Sequence, residues 1–181
     1  MFPSEVLRFG CLHVDVLGPL EPSNGKRYVV TFIDRASRWF ECCPTSDVTA
    51  ATIVTALVET WLSRYGVPLQ IVSDRGAQFT GSLFKSLCSI LGTEHTPTCS
   101  YPPEANGLIE RWHRRLKDAL RAHAAPEWTE VLPWAVLGLR AAPRSDEDLS
   151  AFELLFGLPP RLPGSLLPSS GQRTALLADD V

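Results

Sequence analysis

Three acidic residues of this sequence stand where the local pattern alone does not explain them. Asp15 lies within residues 11–18, an apolar segment whose loose alternation and β-branched residues predict a strand. Asp74 ends another apolar segment, and Glu110 lies in the first turns of a long amphipathic helix. Carboxylates that converge from separate elements can hold two Mg²⁺ or Mn²⁺ ions, which promote in-line displacement at phosphorus. These three residues are therefore the candidate catalytic and metal-ligating set.

Each acid also has an ordinary structural interpretation. Taken alone, Asp15 fits an edge-strand acid, Asp74 fits a turn or cap residue, and Glu110 fits a solvated helix position. Asp34 also ends a predicted strand, but it fits a hairpin turn better. Three uncompensated carboxylates close together repel one another unless a cation is bound. The three acids therefore indicate a metal site only when they are considered together with the sequence around them.

Periodicity and turn-forming residues predict the elements that position these acids. Asn24-Gly25 marks a turn, Gly92 ends a helix, and Ser150 caps another. The predicted strands cover residues 11–18, 26–34, 37–43, 69–73 and 93–98. The predicted helices cover residues 49–65, 80–91, 106–123, 128–140 and 150–156, and residues 100–107 form a predicted loop. This order indicates an α/β fold with a mixed sheet flanked by helices.

The composition limits the classes of partner. A net charge of −3 does not favour nucleic acid, so any DNA contact requires a local basic patch. The 5 cysteines are irregularly spaced and no Cys-x-x-Cys accompanies a paired-histidine motif, which argues against a disulfide framework and a structural zinc site. We interpret them as small apolar residues. No apolar run approaches the roughly 20 residues of a membrane span, so we expect no membrane contact.

A local basic patch is predicted on the long helix. At helical spacing, Glu110 shares a face with Arg114, Lys117 and Arg121, and His113 lies at its edge. These cations suit the phosphates that flank a scissile bond. The alternative is surface pairing of Glu110 with Arg114 and Lys117, which is worth only about 0.3–0.5 kcal/mol for each pair. We predict DNA contact for this face.

Several segments, taken in order, resemble the catalytic core of retroviral and retrotransposon integrases, with the likeness strongest to the Ty3/gypsy type. Residues 75–109, between Asp74 and Glu110, number 35, which matches the D,D-35-E signature. The matching segments are VDVLGP (14–19), YGVP (65–68), SDRGAQF (73–79), PPEANGLIER (102–111), WTEVLPWAVLGLRAAP (128–143) and SAFELLFGLPPRLPG (150–164). The resemblance predicts an N-terminal extension over 1–9, an integrase catalytic core over 10–164 and an irregular tail over 165–181.

The resemblance implies an RNase H-like fold, with a five-stranded mixed sheet and helices on both faces. It implies that Asp15, Asp74 and Glu110 bind two Mg²⁺ or Mn²⁺ ions and serve two reactions at one site. Water attacks a phosphodiester near the DNA end of the element, and the freed 3′-hydroxyl then attacks target DNA. The implied partner is therefore DNA, as both element ends and target. The implied location is the nucleus, with a cytoplasmic particle stage in an active element.

Two further expectations follow from the same family. Core helices that carry Trp61, Trp128 and Trp134 help to form a homodimer in the family, although packing within one subunit explains these tryptophans nearly as well. Residues 100–107 resemble the mobile catalytic loop, in which Tyr101 and Asn106 are predicted to contact DNA. Here Pro102 replaces the histidine of the usual Tyr-His-Pro, which removes a polar side chain and stiffens the loop.

The function classes that remain open differ in chemistry. The family's zinc-binding N-terminal domain and C-terminal DNA-binding domain are not recognisable in the sequence, so we expect a fragment, a degraded copy or a host-adopted core with weak activity. The first rival is a non-catalytic binding or interaction module that kept the fold after co-option. The second is a ribonuclease H-like nuclease that acts on RNA–DNA hybrids.

Overall fold

A five-stranded sheet forms the centre of the computed structural model, which describes residues 7–97, 103–122, 127–143 and 149–163, with the backbone alone for 103–108. The strands are β1 (Cys11–Leu17), β2 (Tyr28–Asp34), β3 (Phe40–Thr45), β4 (Gln70–Ser73) and β5 (Glu94–Pro97). Their order in the sheet is β3-β2-β1-β4-β5. β1, β2 and β3 form an antiparallel meander, and β4 and β5 run parallel to β1. The predicted mixed sheet is confirmed.

Helices lie on both faces of this sheet. The helices are α1 (Ala50–Leu57), α2 (Ser63–Tyr65), α3 (Ala77–Thr80), α4 (Ser82–Leu91), α5 (Pro103–Ala122), α6 (Trp128–Ala141) and α7 (Ala151–Phe156). The predicted helix over residues 49–65 is divided into α1, a π-helical turn (Val58–Leu62) and α2, and the π-helical turn carries the buried Thr60 and Trp61. No helix in the described ranges combines the length and apolar character that a membrane crossing requires.

An apolar cluster packs against each face of the sheet, and the two clusters show which face each side chain of β1 points to. Val14 belongs to the cluster that includes Trp61, and Val16 packs against the same cluster. The opposite cluster contains Leu17 of β1 and Trp112 of α5. Because side chains alternate along a strand, Asp15 points to the face that α5 and α6 cover. The sheet therefore directs this acid toward the long helix.

Two predicted boundaries were wrong for identifiable reasons. β3 was predicted from residue 37 but begins at Phe40, because the Asp34 carboxylate accepts hydrogen bonds from the N–H and the hydroxyl of Ser37 at 2.8 and 2.6 Å. This confirms the turn predicted at Asp34 and delays the strand. α5 was predicted from residue 106 after a loop over 100–107, but it begins at Pro103. Proline is favoured at the first helical position, so a residue that suggests a loop can also start a helix.

Other local predictions are confirmed. Asn24 and Gly25 adopt positive φ angles of 47° and 74° in a tight turn closed by a bridge between Ser23 and Lys26. Gly92 ends α4 in the left-handed conformation. Ser150 caps α7 through a reciprocal capping box with Glu153. Local sequence therefore specified these three boundaries.

The cysteines in the described part of the chain are free thiols. Cys11 and Cys88 are buried, and Cys42 and Cys43 are half-buried. Burial raises the pKa of the Cys88 thiol and keeps it uncharged. Cys99 lies outside the described residues. These positions fit the interpretation of the cysteines as small apolar residues.

Candidate active site

Asp15 lies within β1, and Asp74 is the first residue after the neighbouring strand β4. The parallel register of β1 and β4 pairs Val14 with Ser73, and each acid is the residue that follows this pair. Asp74 is exposed, and its Oδ1 accepts a 2.9 Å hydrogen bond from the Gly76 N–H. A connection that crosses the sheet therefore brings two acids together that are 59 positions apart in the sequence (74 minus 15).

The Asp15 carboxylate is the more enclosed of the two. Its side chain is 24% exposed, and its Oδ1 accepts a 2.8 Å hydrogen bond from the Val16 N–H. Burial raises the pKa of Asp15 from 3.8 to about 6; the Val16 bond opposes this shift, and the charge of Asp74 adds to it. A divalent cation beside the two acids would offset both unfavourable effects.

His113 of α5 lies over Asp15 and its cross-strand neighbour Thr31. The ring Nδ1 is 3.8 Å from the Asp15 Oδ2, and the ring Nε2 is 3.0 Å from the Thr31 hydroxyl. That hydroxyl is also 3.2 Å from the Asp15 carbonyl oxygen, to which it can donate. Burial, with a contribution from Lys117, lowers the pKa of His113 from 6.5 to about 4. At neutral pH the contact therefore joins a neutral ring to a carboxylate and is not an ion pair.

Glu110 occupies a different environment from the two aspartates. It is an exposed residue of α5, one turn before His113. Across the ranges that the structure describes, no three His, Cys, Asp or Glu side chains are grouped so that they could hold a metal ion. The structure thus brings together Asp15 and Asp74 but does not gather Glu110 with them. The hard carboxylate oxygens of the pair nevertheless fit the donor preference of Mg²⁺ and Mn²⁺.

The predicted DNA-binding residues have different surroundings. Arg114, Lys117 and Arg121 are exposed on α5, and Arg121 lies 3.7 Å from the Asp118 carboxylate. The His113 side chain is only 14% exposed and faces the sheet. Tyr101 lies outside the described residues, and Asn106 lies in α5 where the backbone alone is described. DNA contact by all six of these residues stays a prediction.

The three tryptophans considered for a dimer surface differ in how far they are buried. Trp61 is fully buried, and the half-buried Trp128 donates a 2.7 Å hydrogen bond to the Glu21 carbonyl. Trp134 is 59% exposed on α6. Packing within one subunit therefore accounts for Trp61, whereas Trp134 presents apolar surface to the exterior.

Thr31 was not among the residues predicted for this site. Its side chain is buried and contacts both His113 and the Asp15 backbone. The only sequence signal was its place in β2 opposite Asp15, which depends on the register of the hairpin. Threonine is otherwise a common residue in β-strands and indicates no function there by itself.

Comparison with known proteins determines the family. The sequence profile described as Integrase core domain matches residues 7–103, a segment that holds Asp15 and Asp74. The chain belongs to the integrase core domain family. The resemblance predicted from the sequence motifs is thereby confirmed.

Viral polyproteins are among the similar sequences. The chain is 34% identical over 150 residues to the Gag-Pol polyprotein of avian reticuloendotheliosis virus, with 81% of this chain and 13% of the polyprotein covered. It is also 34% identical over 153 residues to the Gag-Pol polyprotein of koala retrovirus, with 81% and 9% covered. This integrase core thus spans a small part of the length of these relatives.

Solved integrase structures share the fold. The BIV integrase catalytic core domain matches with a TM-score of 0.66 and 24% identity, covering 80% of this chain and 92% of that one. The HTLV-2 integrase catalytic core domain, solved in complex with magnesium as a dimeric form, matches with a TM-score of 0.68 and 17% identity, covering 83% and 98%. The integrase core described here therefore has the RNase H-like fold.

Proposed function

We propose that this chain is a polynucleotidyl transferase that cleaves DNA near a 3′ end and joins that end to target DNA. The observation that carries the proposal is the proximity of Asp15, in β1, to Asp74, the first residue after the parallel strand β4, in a chain of the integrase core domain family. Two neighbouring acids, one of them largely enclosed, are costly without a cation. Their cost is accounted for if they hold the metal of a phosphoryl-transfer site.

The chain's own residues have distinct proposed roles. Asp15 and Asp74 are metal ligands, and Glu110, an exposed residue of α5 that the structure does not group with them, is the proposed third ligand. Bound Mg²⁺ or Mn²⁺ ions would supply charge stabilisation for the attacking and leaving oxygens. Arg114 and Lys117, both exposed on α5, bind phosphates beside the scissile bond. In this proposal α5 orients the DNA substrate, and the sheet supplies most of the metal ligands.

The proposed assembly and location follow from this activity. DNA is the partner, both as element ends and as target, and the chain acts in the nucleus after a cytoplasmic particle stage if it belongs to an active element. A homodimer through the core helices is also proposed. Trp134 supports this because it leaves a large aromatic side chain exposed on α6.

The direct test is strand cleavage and joining on branched DNA with Mn²⁺ or Mg²⁺. We expect weak metal-dependent products from the native chain and none above background from Asp74→Asn. Glu59→Gln is the control, because it removes the same charge at an exposed position of the π-helical turn, on the face of the sheet opposite α5. Retained activity in Asp74→Asn would overturn the assignment. An RNA–DNA hybrid assayed beside the duplex separates DNA joining from ribonuclease H activity.

A non-catalytic interaction module is the second candidate. The observation that favours it is the lack, among the described side chains, of a three-member group able to hold a metal. Calorimetric titration with Mn²⁺ separates the two candidates. If the chain is an enzyme, the native chain binds Mn²⁺ and Asp74→Asn abolishes that binding. If it is an interaction module, the native chain and Asp74→Asn give the same Mn²⁺ titration.

A further inference from the structure

We propose that His113 is a positioning residue that orients the Asp15 carboxylate, and that Thr31 holds the His113 ring for this purpose. The inference rests on the proposed function, because an oriented Asp15 matters only if it binds a metal. It assigns His113 a role other than the DNA contact expected from its place at the edge of the basic face. Thr31 enters the site through this role alone.

The sheet and the helix fix the three residues relative to one another. Asp15 and Thr31 are paired across β1 and β2, so their side chains share one face. The helix that carries His113 is fixed by the Trp112 ring, which stacks on Phe40 with centroids 5.0 Å apart and an interplanar angle of 4°. Leu116, one turn further along α5, is fully buried. The His113 ring is therefore held over Asp15 by packing on both sides of its position.

Burial separates His113 from the phosphate-binding candidates. Its side chain is 14% exposed, whereas those of Arg114 and Lys117 belong to exposed residues of the same helix. Both nitrogens of its ring already face partners, Nε2 toward Thr31 and Nδ1 toward Asp15. A DNA phosphate would have to compete with these contacts.

Hydrogen-bond chemistry indicates how the ring acts on the carboxylate. The Thr31 hydroxyl carries one proton and has two acceptors within reach, the His113 Nε2 at 3.0 Å and the Asp15 carbonyl at 3.2 Å. Donation to the nearer Nε2 leaves the ring proton on Nδ1, 3.8 Å from the Asp15 Oδ2. The other oxygen, Oδ1, is already held by the Val16 N–H. His113 therefore faces the carboxylate oxygen that the Val16 N–H does not hold, and because 3.8 Å is too long for a hydrogen bond, the ring N–H acts on it electrostatically.

His113 and the proposed third ligand, Glu110, are carried by the same helix. Glu110 precedes His113 by three residues on α5, so the two side chains occupy neighbouring rows of the helix surface. Any shift of α5 that moves Glu110 also moves His113 against Asp15. Groups that orient metal ligands from outside the ligand set typically change metal affinity by about 10–100-fold when removed.

Metal affinity and metal-free DNA affinity are the two readouts that test this role. We expect His113→Ala and Thr31→Val to weaken Mn²⁺ binding by about tenfold or more in calorimetry, with metal-free DNA affinity within about twofold of the native value. His113→Asn places an amide N–H near the position of Nδ1 and should retain most of the Mn²⁺ affinity. His113→Gln places its amide nearer the position of Nε2 and should not. Thr31→Ser keeps the hydroxyl and should behave as the native chain.

The outcomes separate this inference from the proposed function. Arg115→Ala, an exposed change on the same helix, should leave Mn²⁺ affinity unaltered. A native chain without Asp74-dependent Mn²⁺ binding overturns both proposals. Native binding that His113→Ala leaves intact overturns the inference alone, as does a fall in DNA affinity with unchanged metal affinity. If His113→Ala does not fold, the Thr31→Val and Thr31→Ser pair decides the question.

Discussion

Arg140 of α6 and Glu41 of β3 are joined by a 2.7 Å contact between Nη2 and Oε2. The Arg140 Nε also donates a 2.8 Å hydrogen bond to the Phe40 carbonyl, and its guanidinium lies 4.2 Å from the centre of the Trp39 ring. On the other side, Tyr65 donates its hydroxyl proton to the Glu41 Oε1. This cluster ties the outer strand of the sheet to α6 and to the end of α2.

Removing one member of this buried pair should destabilise the fold. The Arg140 and Glu41 side chains are only 17% and 8% exposed, so Arg140→Ala leaves an enclosed carboxylate without its main counter-charge. We expect a decrease of about 3 kcal/mol in the free energy of unfolding, measured by urea denaturation. Arg64→Ala is the control, because Arg64 is more exposed and lies 3.5 Å from the same carboxylate. Its cost should be below about 1 kcal/mol, and equal costs would contradict the burial argument.

The raised pKa of Asp15 predicts a pH dependence of stability in the metal-free protein. Its folded pKa of about 6 lies above the ordinary value of 3.8, so the folded chain binds the proton more tightly than the unfolded chain does. The contribution to stability is therefore fully present below pH 3.8 and is lost as pH rises through 6.

Asp15→Asn isolates this effect, because it removes the titrating charge and keeps an oxygen for the Val16 N–H. With metals chelated, the variant should exceed the native chain in unfolding free energy by on the order of 2 kcal/mol at pH 7.5, and by much less at pH 4.5. Denaturation at the two pH values measures this difference. Asp118→Asn controls for net charge, and a pH-independent difference in Asp15→Asn would argue against burial as the cause.

The basic face of α5 predicts a specific salt dependence of DNA binding. Replacing Arg114 and Lys117 together by Ala should weaken duplex binding and reduce the slope of log affinity against log salt by about 0.9 for each phosphate that the helix no longer neutralises. Fluorescence anisotropy over a range of salt concentrations measures both quantities. The matched control replaces Arg111 and Arg115, which are equally charged and exposed but lie about a quarter turn or more from this face. Equal effects would show that net charge, and not position, controls binding.

The capping box of α7 gives a stability prediction tied to local sequence. The Ser150 Oγ accepts a 3.1 Å hydrogen bond from the Glu153 N–H, and the Ser150 N–H donates a 2.9 Å bond to the Glu153 Oε2. Ser150→Ala should cost about 1 kcal/mol in urea denaturation, because it leaves a helix N–H without its acceptor. Ser89→Ala, at an exposed position inside α4, should change stability by less than about 0.5 kcal/mol. A cost for Ser150→Ala as small as that of Ser89→Ala would show that the cap contributes little.

Local patterns were sufficient where neighbouring residues alone decide the conformation. Ser150 and Glu153 form a cap within a single helical turn, and Asn24-Gly25 supplies the positive φ angles of its own turn. The same patterns misplaced the start of β3 because Ser37 is bound by the Asp34 carboxylate. They misplaced the start of α5 because Pro103 is compatible with both a loop and a first helical turn.

The sequence by itself determined the residue types and the elements that carry them: acids on strands, a basic helix face, and ordered motifs that indicate an integrase core. Only the tertiary structure decided that β4 lies beside β1, which makes Asp15 and Asp74 neighbours. It also decided that His113 turns toward Thr31 and Asp15, away from the basic face. The physical reason is the separation along the sequence of the residues involved. Turns and helix periodicity depend on residues a few positions apart, whereas these contacts depend on sheet register and on how α5 packs across the sheet.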